Sequence, residues 1–575
     1  MPRTAPTHVH AFALALALGA CTPTEPSPSP SSSSSTAPTS APSPSAKLAR
    51  DELAAASRLT ATSIAAPLRF LSDDLLEGRL PGTRGDDIAI KYIAAEMESY
   101  GLEPGAADKT WFQKVPLVGI QAQPPRSVAM TAGAGSLELS VPDDLVVMSG
   151  TQDARAAIEP TELVFVGYGI VAPEYHWDDY KDVDVKGKVV VVMNDDPSSD
   201  PKLFAGKTRL WYGRWDYKYE QAAKKGAAGV IIIHTTPSAA YPWQVVVSSN
   251  TGERFELPAV ANEPRLVAKM WATEEATRKV VAFGGKDLDA LRASAETREF
   301  KPTPLGVKMS LALTNKTRNV ESANVVGVLR GRDPKLAADA IVYTAHHDHL
   351  GVGIAKNGDA IYNGALDNAS GVAAMLSIAR AASLAKRPRR SLVFVAVTAE
   401  EQGLLGSEYY CAHPTFAPGH IAANVNIDSV NNRGKTTDLG YIGFGKSSLD
   451  AVVVAVASAQ GRVVRGDPYP TKGTFYRSDQ FNFAKIGVPA IYLRGGPSYV
   501  GKPAGWGEEQ AKLFEQKHYH QPSDEYDGTW DLGGAVEDAQ LLLVAGLRIA
   551  NATALPMWNP RDEFEAARKV ALAGR

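Results

Sequence analysis

The sequence predicts an α/β protein in which a mostly parallel mixed sheet is flanked by helices and carries a β-rich insertion. From Asn324 onward, continuous apolar strands alternate with helices, and the strands fall at 341–344, 392–397, 423–427 and 490–493. Such runs are typical of parallel strands that helices cover on both faces. Between 123 and 302 the pattern changes to short β-rich runs separated by Gly, Pro and Asp turns. These two patterns indicate a main domain interrupted by a smaller one.

The remaining elements follow from local spacing and end signals. Residues 86–100 place apolar side chains at helical spacing and stop at Gly101, which predicts a helix. A second helix of the main domain begins at about Val372. In the insertion, a helical stretch is predicted at 219–225, and strands are predicted at 163–166, 189–192 and 230–233.

The composition fits a folded protein of more than one domain. At 575 residues the chain is too long for one ordinary domain, and its 44% hydrophobic and 21% charged content is globular. The net charge is −3, from 60 basic and 63 acidic residues mixed along the chain. No long-range electrostatic field therefore attracts nucleic acid, and we expect no nucleic-acid partner. The oligomeric state stays open.

The first residues have the features of a lipoprotein-type signal. Arg3 precedes an apolar run at 11–18, and Gly19-Ala20 stand before Cys21, an order that resembles a bacterial lipobox. We therefore expect export to the bacterial cell envelope, with Cys21 lipidated and the chain attached to the outer membrane, facing the periplasm or the cell surface. The alternative is an ordinary cleaved signal and a soluble periplasmic or secreted protein.

Composition shifts divide the chain into six segments. We predict a signal peptide at 1–21 and a disordered Pro/Ser/Thr linker at 22–46, because that composition cannot bury enough apolar surface to fold. The folded part comprises the N-terminal part of the main domain, the insertion, the rest of the main domain and a C-terminal tail, at 47–122, 123–302, 303–555 and 556–575.

Metal-ligand residue types follow the ends of successive main-domain strands. The first strand leads into a run of His and Asp, the second into two glutamates, and the third into an aspartate: His346-His347-Asp348-His349, Glu400-Glu401 and Asp428. Two loops add Asp367 and His520. Functional residues of such sheets collect beyond the carboxyl ends of strands. A set of His and carboxylate without thiolate is typical of a catalytic site for zinc or another divalent ion.

Each of these groups taken alone is also compatible with a solvated turn or an ordinary loop. Together they occur in order at successive strand ends, where buried acids and imidazoles would be costly without a cation. The combination therefore predicts a metal site.

The segments resemble the M28 family of zinc aminopeptidases, and the resemblance extends from about residue 71 to 527. The family's marks are present here as a His-x-Asp, a Gly-Ala-x-Asp-Asn-Ala-Ser-Gly at 364–371, a Glu-Glu, an Asp and a late His-x-Pro. The insertion resembles a protease-associated (PA) domain. The resemblance implies the zinc exopeptidase fold and peptide substrates.

The resemblance also implies the role of each site residue. Two zinc ions per chain would share Asp367, which bridges them. His346 and Asp428 would bind one ion, and Glu401 and His520 the other. The peptide bond after the bridging aspartate is often cis in this family.

Two acidic residues would act without binding metal. Asp348 would accept the ring N–H of His346 and so fix the tautomer of that ligand. Glu400 would be the general base, which takes a proton from a metal-bridged water and so generates the attacking hydroxide.

Several residues near the motifs have other interpretations. Leu366 stands where many relatives have a second acid, and Gln480 stands where a histidine is common. Neither is an expected metal ligand, and we interpret both as modifying the surroundings of the site or its pocket. His347, His349 and His518 are extra imidazoles, but only His346 forms the His-x-Asp with Asp348. Cys411 has no partner motif and is predicted to be a buried packing thiol.

The preferred function is removal of N-terminal residues from peptides, and three alternatives stay open. A dipeptidase or glutamate-type carboxypeptidase would hold cations against a substrate carboxylate, for which Arg477 and Arg494 are candidates. A glutaminyl cyclase would keep one zinc, and a receptor-like binding protein would have lost ligands or the base. The retained ligand set with Glu400 favours the peptidase.

Overall fold

The structure is a computed structural model that describes residues 47–200 and 203–575. The predicted signal, Cys21 and the predicted linker lie outside the described residues. The strands are β1 Glu103–Pro104, β2 Phe112–Gln123, β3 Ser127–Ala132, β4 Gly135–Ser140, β5 Leu145–Ser149, β6 Arg155–Phe165, β7 Val171–Ala172, β8 Trp177–Asp178, β9 Val189–Met193, β10 Gly229–His234, β11 Arg254–Glu256, β12 Ala268–Thr273, β13 Thr303–Leu329, β14 Ala340–His346, β15 Gly351–Lys356, β16 Asp359–Tyr362, β17 Ser391–Val397, β18 Ile421–Asn426, β19 Asp438–Ile442, β20 Val463–Arg465 and β21 Ala490–Gly495.

The helices flank these strands on both sides. They are α1 Arg50–Ala56, α2 Ala61–Leu71, α3 Arg84–Ser99, α4 Trp215–Lys224, α5 Thr236–Ala239, α6 Trp243–Asn250, α7 Glu274–Phe283, α8 Leu288–Ala295, α9 Ser370–Ser383, α10 Leu405–Ala412, α11 Leu449–Ala459, α12 Gln480–Lys485, α13 Trp506–Lys517, α14 Gly533–Asn551 and α15 Glu565–Ala573. The predicted helix at 86–100 corresponds to α3, and the one predicted from about Val372 corresponds to α9. Within the described ranges, no helix combines the length and apolarity needed to cross a membrane.

The main sheet has parallel strands at its centre and antiparallel strands beside them. The order is β13-β17-β14-β18-β21-β19-β20, in which β17, β14, β18 and β21 are parallel. Strand β13 is antiparallel to β17, and β19 is antiparallel to β21 but parallel to β20. This confirms the predicted mostly parallel mixed sheet. Because β14, β17 and β18 are parallel neighbours, the residues that follow them meet at one edge of the sheet.

Alternate side chains of the central strands are buried on opposite faces. Ile341 and Tyr343 pack among residues of α2, α3, α9 and α14, whereas Val342 packs with Tyr410 of α10 and Phe483 of α12. Strands covered in this way need apolar residues at every position, which explains the continuous apolar runs of the sequence.

The inserted domain has its own group of parallel strands, which β13 joins to the main sheet. Strands β6, β9, β10 and β12 run parallel, and β5 is antiparallel to β12. Val191 packs in one apolar cluster and Val190 in another, so helices and loops cover both faces. The β-rich pattern of this region therefore comes from a second α/β domain, in which helices and loops cover the strands on both faces.

A long ribbon connects the two domains. Strand β13 pairs with β6 of the insertion in its first half, with β17 of the main sheet over residues 325–329, and with β2 over 314–325. The predicted boundary at 302/303 falls where this strand begins. The predicted C-terminal tail at 556–575 contains α15, and its buried Arg568 donates to the carbonyl of Ile421 at 2.9 Å.

Candidate metal centre

The fold brings together all the residues that the sequence indicates as ligands. His346 is the last residue of β14, while Glu401 follows β17 and Asp428 follows β18. Asp367 lies in the turn before α9, and His520 follows α13. Loops remote in sequence therefore complete a site that begins at the carboxyl edge of the sheet.

The carboxylate of Asp367 lies between two imidazoles. Its Oδ1 is 3.2 Å from Nε2 of His346, and its Oδ2 is 3.3 Å from Nε2 of His520. Beyond Asp367, His346 Nε2 lies 3.8 Å from Asp428 Oδ1, and His520 Nε2 lies 3.0 Å from Glu401 Oε2. The five side chains thus form two half-sites that share one carboxylate.

The donor set fits metal cations. The Nε2 atoms of both His346 and His520 are buried and have no hydrogen-bond partner in the described part of the chain, although carboxylate oxygens face them. Imidazole nitrogens and carboxylate oxygens without thiolates suit zinc in a catalytic site. A cation between these atoms would satisfy groups that are otherwise unpaired in a buried place.

Neighbouring charges shift the pKa values of the ionisable side chains in the site. Burial acts to lower the pKa of His346, but the nearby carboxylates of Glu400, Asp367 and Asp428 outweigh it and raise that pKa well above its usual value. Burial acts to raise the pKa of Glu401, but His520 and His349 outweigh it and lower that pKa to about 2. The carboxylates are therefore held as anions by the positive charge beside them.

Glu400 has different surroundings from Glu401. Its Oε2 is 3.9 Å from Nε2 of His346, and burial is the main cause that raises its pKa well above the usual value, with Glu401 and Asp428 adding to it. Ligand atoms of His346, Glu400 and Asp428 also lie within 4.8 Å of one another, as do those of His346, Asp367 and Glu401. Geometry alone therefore allows Glu400 either to bind a cation or to stand beside it.

Asp348 contacts His346 differently from the predicted way. The ring Nδ1 of His346 lies 3.2 Å from the backbone carbonyl of Asp348, whereas the carboxylate Oδ1 is 3.8 Å away. The carboxylate instead accepts the backbone N–H groups of Glu400 at 3.0 Å and of Glu401 at 3.3 Å. Because the carboxylate of Asp348 is fully buried, these two N–H groups satisfy its need for hydrogen-bond donors. Asp348 therefore stabilises the turn that carries Glu400 and Glu401.

Two further residues, His349 and Asp524, have positioning contacts that sequence reasoning missed. Nδ1 of His349 lies 2.7 Å from Oε1 of Glu401. The carboxylate of Asp524 accepts the backbone N–H groups of Leu366 at 3.0 Å and of Asp367 at 3.1 Å. In the sequence, both residues lie close to predicted ligands, which was the only available sign of a role. The groups that they contact are remote in sequence, so the contacts themselves could not be predicted.

His347 is turned away from the site. Its Nε2 lies 3.2 Å from the carbonyl of Ala323, and its Nδ1 lies 3.4 Å from the carboxylate of Asp86. The other extra imidazole, His518, contacts Ser523 through Nδ1. The structure therefore places His346, and not His347, against the carboxylates of Asp367 and Asp428.

The buried Arg79 connects the loops that carry the ligands. It donates to the carbonyls of His347 at 2.7 Å, Asn363 at 2.6 Å and Gly364 at 3.0 Å, and also to Leu71. Burial lowers its pKa to about 10, so it remains a cation at neutral pH. Because its acceptors lie far apart in the sequence, no local pattern revealed this role.

Asn368 joins the Asp367 turn to the end of β18. Its amide donates to the carbonyl of Ile427 at 2.9 Å, and its Oδ1 accepts the N–H of Ser429 at 2.9 Å. The Asp367–Asn368 peptide bond is cis, as the resemblance implies. A Cβ at Gly371 would lie 2.1 Å from Oδ1 of Asn368, so only glycine fits there.

The remaining predicted positions lie at the margin of the site. Leu366 is buried, and its N–H is held by Asp524. Gln480 accepts the side-chain amide of Asn426 at 2.7 Å. Cys411 is buried in the apolar cluster on one face of the sheet. Burial raises the pKa of its thiol well above the usual value, which fits a packing role.

Comparisons with known proteins agree with this arrangement. The model of peptidase family M28 matches residues 324–544, and the model of the PA domain matches 146–262. The chain is 23% identical over 379 residues to "Aminopeptidase YwaD" of Bacillus subtilis, which covers 64% of each chain. It is 37% identical over 114 residues to a "Probable zinc metalloprotease" of Pyricularia oryzae, which covers 20% of each chain.

Solved structures include an aminopeptidase from Aneurinibacillus sp. strain AM-1, at 20% identity and a TM-score of 0.48, covering 89% of this chain and 98% of that one. The two curated relatives are matched over 20% and 64% of their own lengths, so less than two thirds of either is spanned. The two family models fall on the domain that carries the site and on the insertion. Residues 324–544 therefore form a peptidase domain of family M28, and a PA domain is inserted before them in the chain.

Proposed function

We propose that the chain is a zinc-dependent aminopeptidase that holds two ions per chain and releases N-terminal residues from peptides. The observation that carries this proposal is the carboxylate of Asp367, whose two oxygens face the Nε2 atoms of His346 and His520. A carboxylate that offers one oxygen to each of two imidazole-containing half-sites suits a paired-metal site.

The ligands divide between the ions as the resemblance implies. His346 and Asp428 hold one ion, Glu401 and His520 hold the other, and Asp367 contributes to both. When bound, the ions lower the pKa of a coordinated water and polarise the scissile carbonyl. Asp348 positions the two glutamates through their backbone N–H groups, and His349 orients Glu401.

Glu400 is the general base of this proposal. Its environment raises its pKa, so its carboxyl group readily holds a proton in the site. It accepts a proton from the attacking water and donates it to the leaving amine as the peptide bond breaks. Glu401 is anchored by His349 and His520, which leaves Glu400 as the neighbouring carboxylate that is free to move a proton.

The amino-end preference rests on the relatives, one of which is named an aminopeptidase. The alternatives of the same site are dipeptidase or carboxypeptidase activity. Glutaminyl cyclisation and a non-catalytic binding role fit less well, because the chain retains the ligand residues of both half-sites and also retains Glu400.

The test compares four peptides that share one sequence, with both ends free, the amino end blocked, the carboxyl end blocked, or both ends blocked. We expect hydrolysis of the free and C-blocked peptides by the zinc-loaded chain, with none of the N-blocked ones. Cleavage of N-blocked peptides would refute the aminopeptidase proposal. Glu400→Gln serves as the control for a contaminating peptidase.

A further inference from the structure

The turn that carries Glu400 and Glu401 has a backbone conformation that needs support. It connects β17 to α10 across residues 398–404, which we call the glutamate turn. Ala399 has a φ of 52° and Leu404 has a φ of 64°, a left-handed conformation that residues other than glycine rarely adopt. Such a conformation costs free energy and persists only where surrounding contacts hold it. The position of Glu400 therefore depends on what packs against this turn.

The inserted domain contacts the glutamate turn through strand β11. The backbone N–H of Phe255, at the centre of β11, donates to Oε1 of Gln402 at 3.3 Å. The side chain of Phe255 is 2% exposed and belongs to the same apolar cluster as Ala399 and Leu405. One hydrogen bond and one apolar contact from the insertion thus reach the residues on both sides of the two glutamates.

Strand β11 is itself fixed to the ribbon that joins the two domains. It pairs with β2, and Phe255 lies opposite Gly119. The guanidinium of Arg318 in β13 donates to both carboxylate oxygens of Glu253, at 2.7 and 2.8 Å, and its Cζ lies 5.8 Å from the centre of the Phe255 ring. The insertion therefore reaches the glutamate turn through a ring that the ribbon holds in place.

The side chains of the two glutamates depend on this support unequally. The carboxylate of Glu401 lies 2.7 Å from His349 and 3.0 Å from His520, so it keeps two anchors of its own. The carboxylate of Glu400 lies 3.9 Å from Nε2 of His346, which is beyond hydrogen-bond distance. The backbone of the turn therefore does more to position Glu400 than to position Glu401.

We propose that Phe255 is a positioning residue in the inserted PA domain, which together with Gln402 holds the glutamate turn so that Glu400 reaches the attacking water. This inference rests on the proposed peptidase function, in which Glu400 is the general base, and it specifies how the insertion controls that function. A general base acts only within hydrogen-bond reach of its proton, and a misplacement of about 1 Å can lower a rate by about 10²-fold. Peptidase activity therefore depends on β11 staying docked against the turn.

Three variants of the zinc-loaded full chain and one control test the proposal by kinetics. We expect kcat to fall by about 10–100-fold in Phe255→Ala, which removes the apolar contact. In Gln402→Leu, which removes the hydrogen-bond acceptor, it should fall by about three- to tenfold. Both variants should keep the KM and the zinc content of wild type, and Phe255→Leu should restore most of kcat. The matched control is Phe300→Ala, because Phe300 is 3% exposed in a different apolar cluster of the insertion, and it should keep kcat.

Hydrogen exchange measured by mass spectrometry gives a second readout, which does not require activity. We expect the backbone amides at 399–405 to exchange faster in Phe255→Ala and in Gln402→Leu than in wild type, and to exchange at the wild-type rate in Phe300→Ala. Unchanged exchange of these amides in both turn variants would overturn the proposal.

Three kinetic outcomes would also overturn the proposal. They are wild-type kcat in both turn variants, an equal fall of kcat in Phe300→Ala, and a fall of kcat that follows loss of zinc, since the last would place the effect on the ligands and not on the base. A wild-type chain that hydrolyses no peptide would refute the proposed function. Hydrogen exchange alone would then decide whether β11 supports the glutamate turn.

Discussion

Glu400 and Glu401 are adjacent, yet their carboxylates have different surroundings. Glu401 contacts His349 and His520 at 2.7 and 3.0 Å, so it is fixed on both sides. Glu400 lies 3.9 Å from His346, its nearest ion-pairing group. The turn held by Asp348 lets the two side chains diverge, and in the proposed mechanism this divergence would separate a ligand from a base.

Isosteric substitutions should separate these roles. We expect Glu400→Gln to lower kcat by about 10²–10⁴-fold while zinc content stays at the wild-type level, because a general base is lost and no ligand is. Glu401→Gln should instead lose zinc. Elemental analysis with parallel kinetics makes the comparison. Loss of zinc in Glu400→Gln would show that Glu400 binds metal, which the geometry with His346 and Asp428 allows.

Asp86 gives a pH-dependent contribution to stability. Burial raises its pKa to about 7, and the hydrogen bond from the backbone N–H of Gly82, the side chain of Ser322 and the charge of Arg79 offset this effect only in part. Between about pH 4 and pH 7 the unfolded chain has lost a proton that the folded chain keeps. The free energy of unfolding therefore falls as the pH rises, by up to about 1.4 kcal/mol per pH unit.

Denaturation of wild type and Asp86→Asn across this range measures the contribution. The neighbouring His347, whose pKa burial lowers to about 3, is common to both proteins and largely cancels in the difference. We expect the stability of wild type relative to the variant to decrease from pH 4 to pH 7. A difference independent of pH would contradict the buried, protonated state of Asp86.

At the scale of elements, Arg79 joins segments that the sequence separates widely. It bonds backbone carbonyls of α2, of the loop after β14 and of the Asp367 turn. Replacing it by methionine would leave several buried carbonyls without donors. We expect Arg79→Met to lower the free energy of unfolding by about 2–4 kcal/mol. Zinc affinity should also fall by about 10–100-fold, because the ligand loops lose their common support.

The control for this prediction is Arg84→Met, since Arg84 is exposed at the start of α3. Denaturation of the metal-free protein and competition with a zinc chelator give the two measurements. Arg79→Met with wild-type zinc affinity would show that Arg79 supports only the fold.

The strands and the ligands could be predicted from the sequence because their signals are local. The run 392–397 is apolar at every position, and β17 is buried throughout. His346 could be preferred to His347 from its spacing to Asp348. The long strand β13 could not be predicted, since its two halves pair with different domains.

The missed contacts share one physical cause. Arg79 lies 268 residues from His347, and Asp524 lies 157 residues from Asp367. Their roles depend on backbone groups, which have no side-chain signature in the sequence. The carbonyl contact of Asp348 was missed for the same reason.

At the scale of the whole molecule, attachment to a membrane remains a prediction that depends on Cys21. When the wild-type chain is produced in a bacterium, we expect it in the membrane fraction, with a lipid-modified N-terminal peptide by mass spectrometry. Cys21→Ser should move the chain to the soluble fraction without changing its activity on peptides. A soluble wild-type chain with an unmodified Cys21 would contradict the anchor.

The central claim is that Asp367 bridges two metal ions held by His346 and His520. The zinc content per chain tests it most directly, measured by elemental analysis on wild type and on Asp367→Asn after dialysis against zinc-free buffer. We predict two zinc ions per wild-type chain and fewer than one in the variant, since both half-sites lose their shared ligand. One zinc per wild-type chain, or two retained in Asp367→Asn, would contradict the paired site.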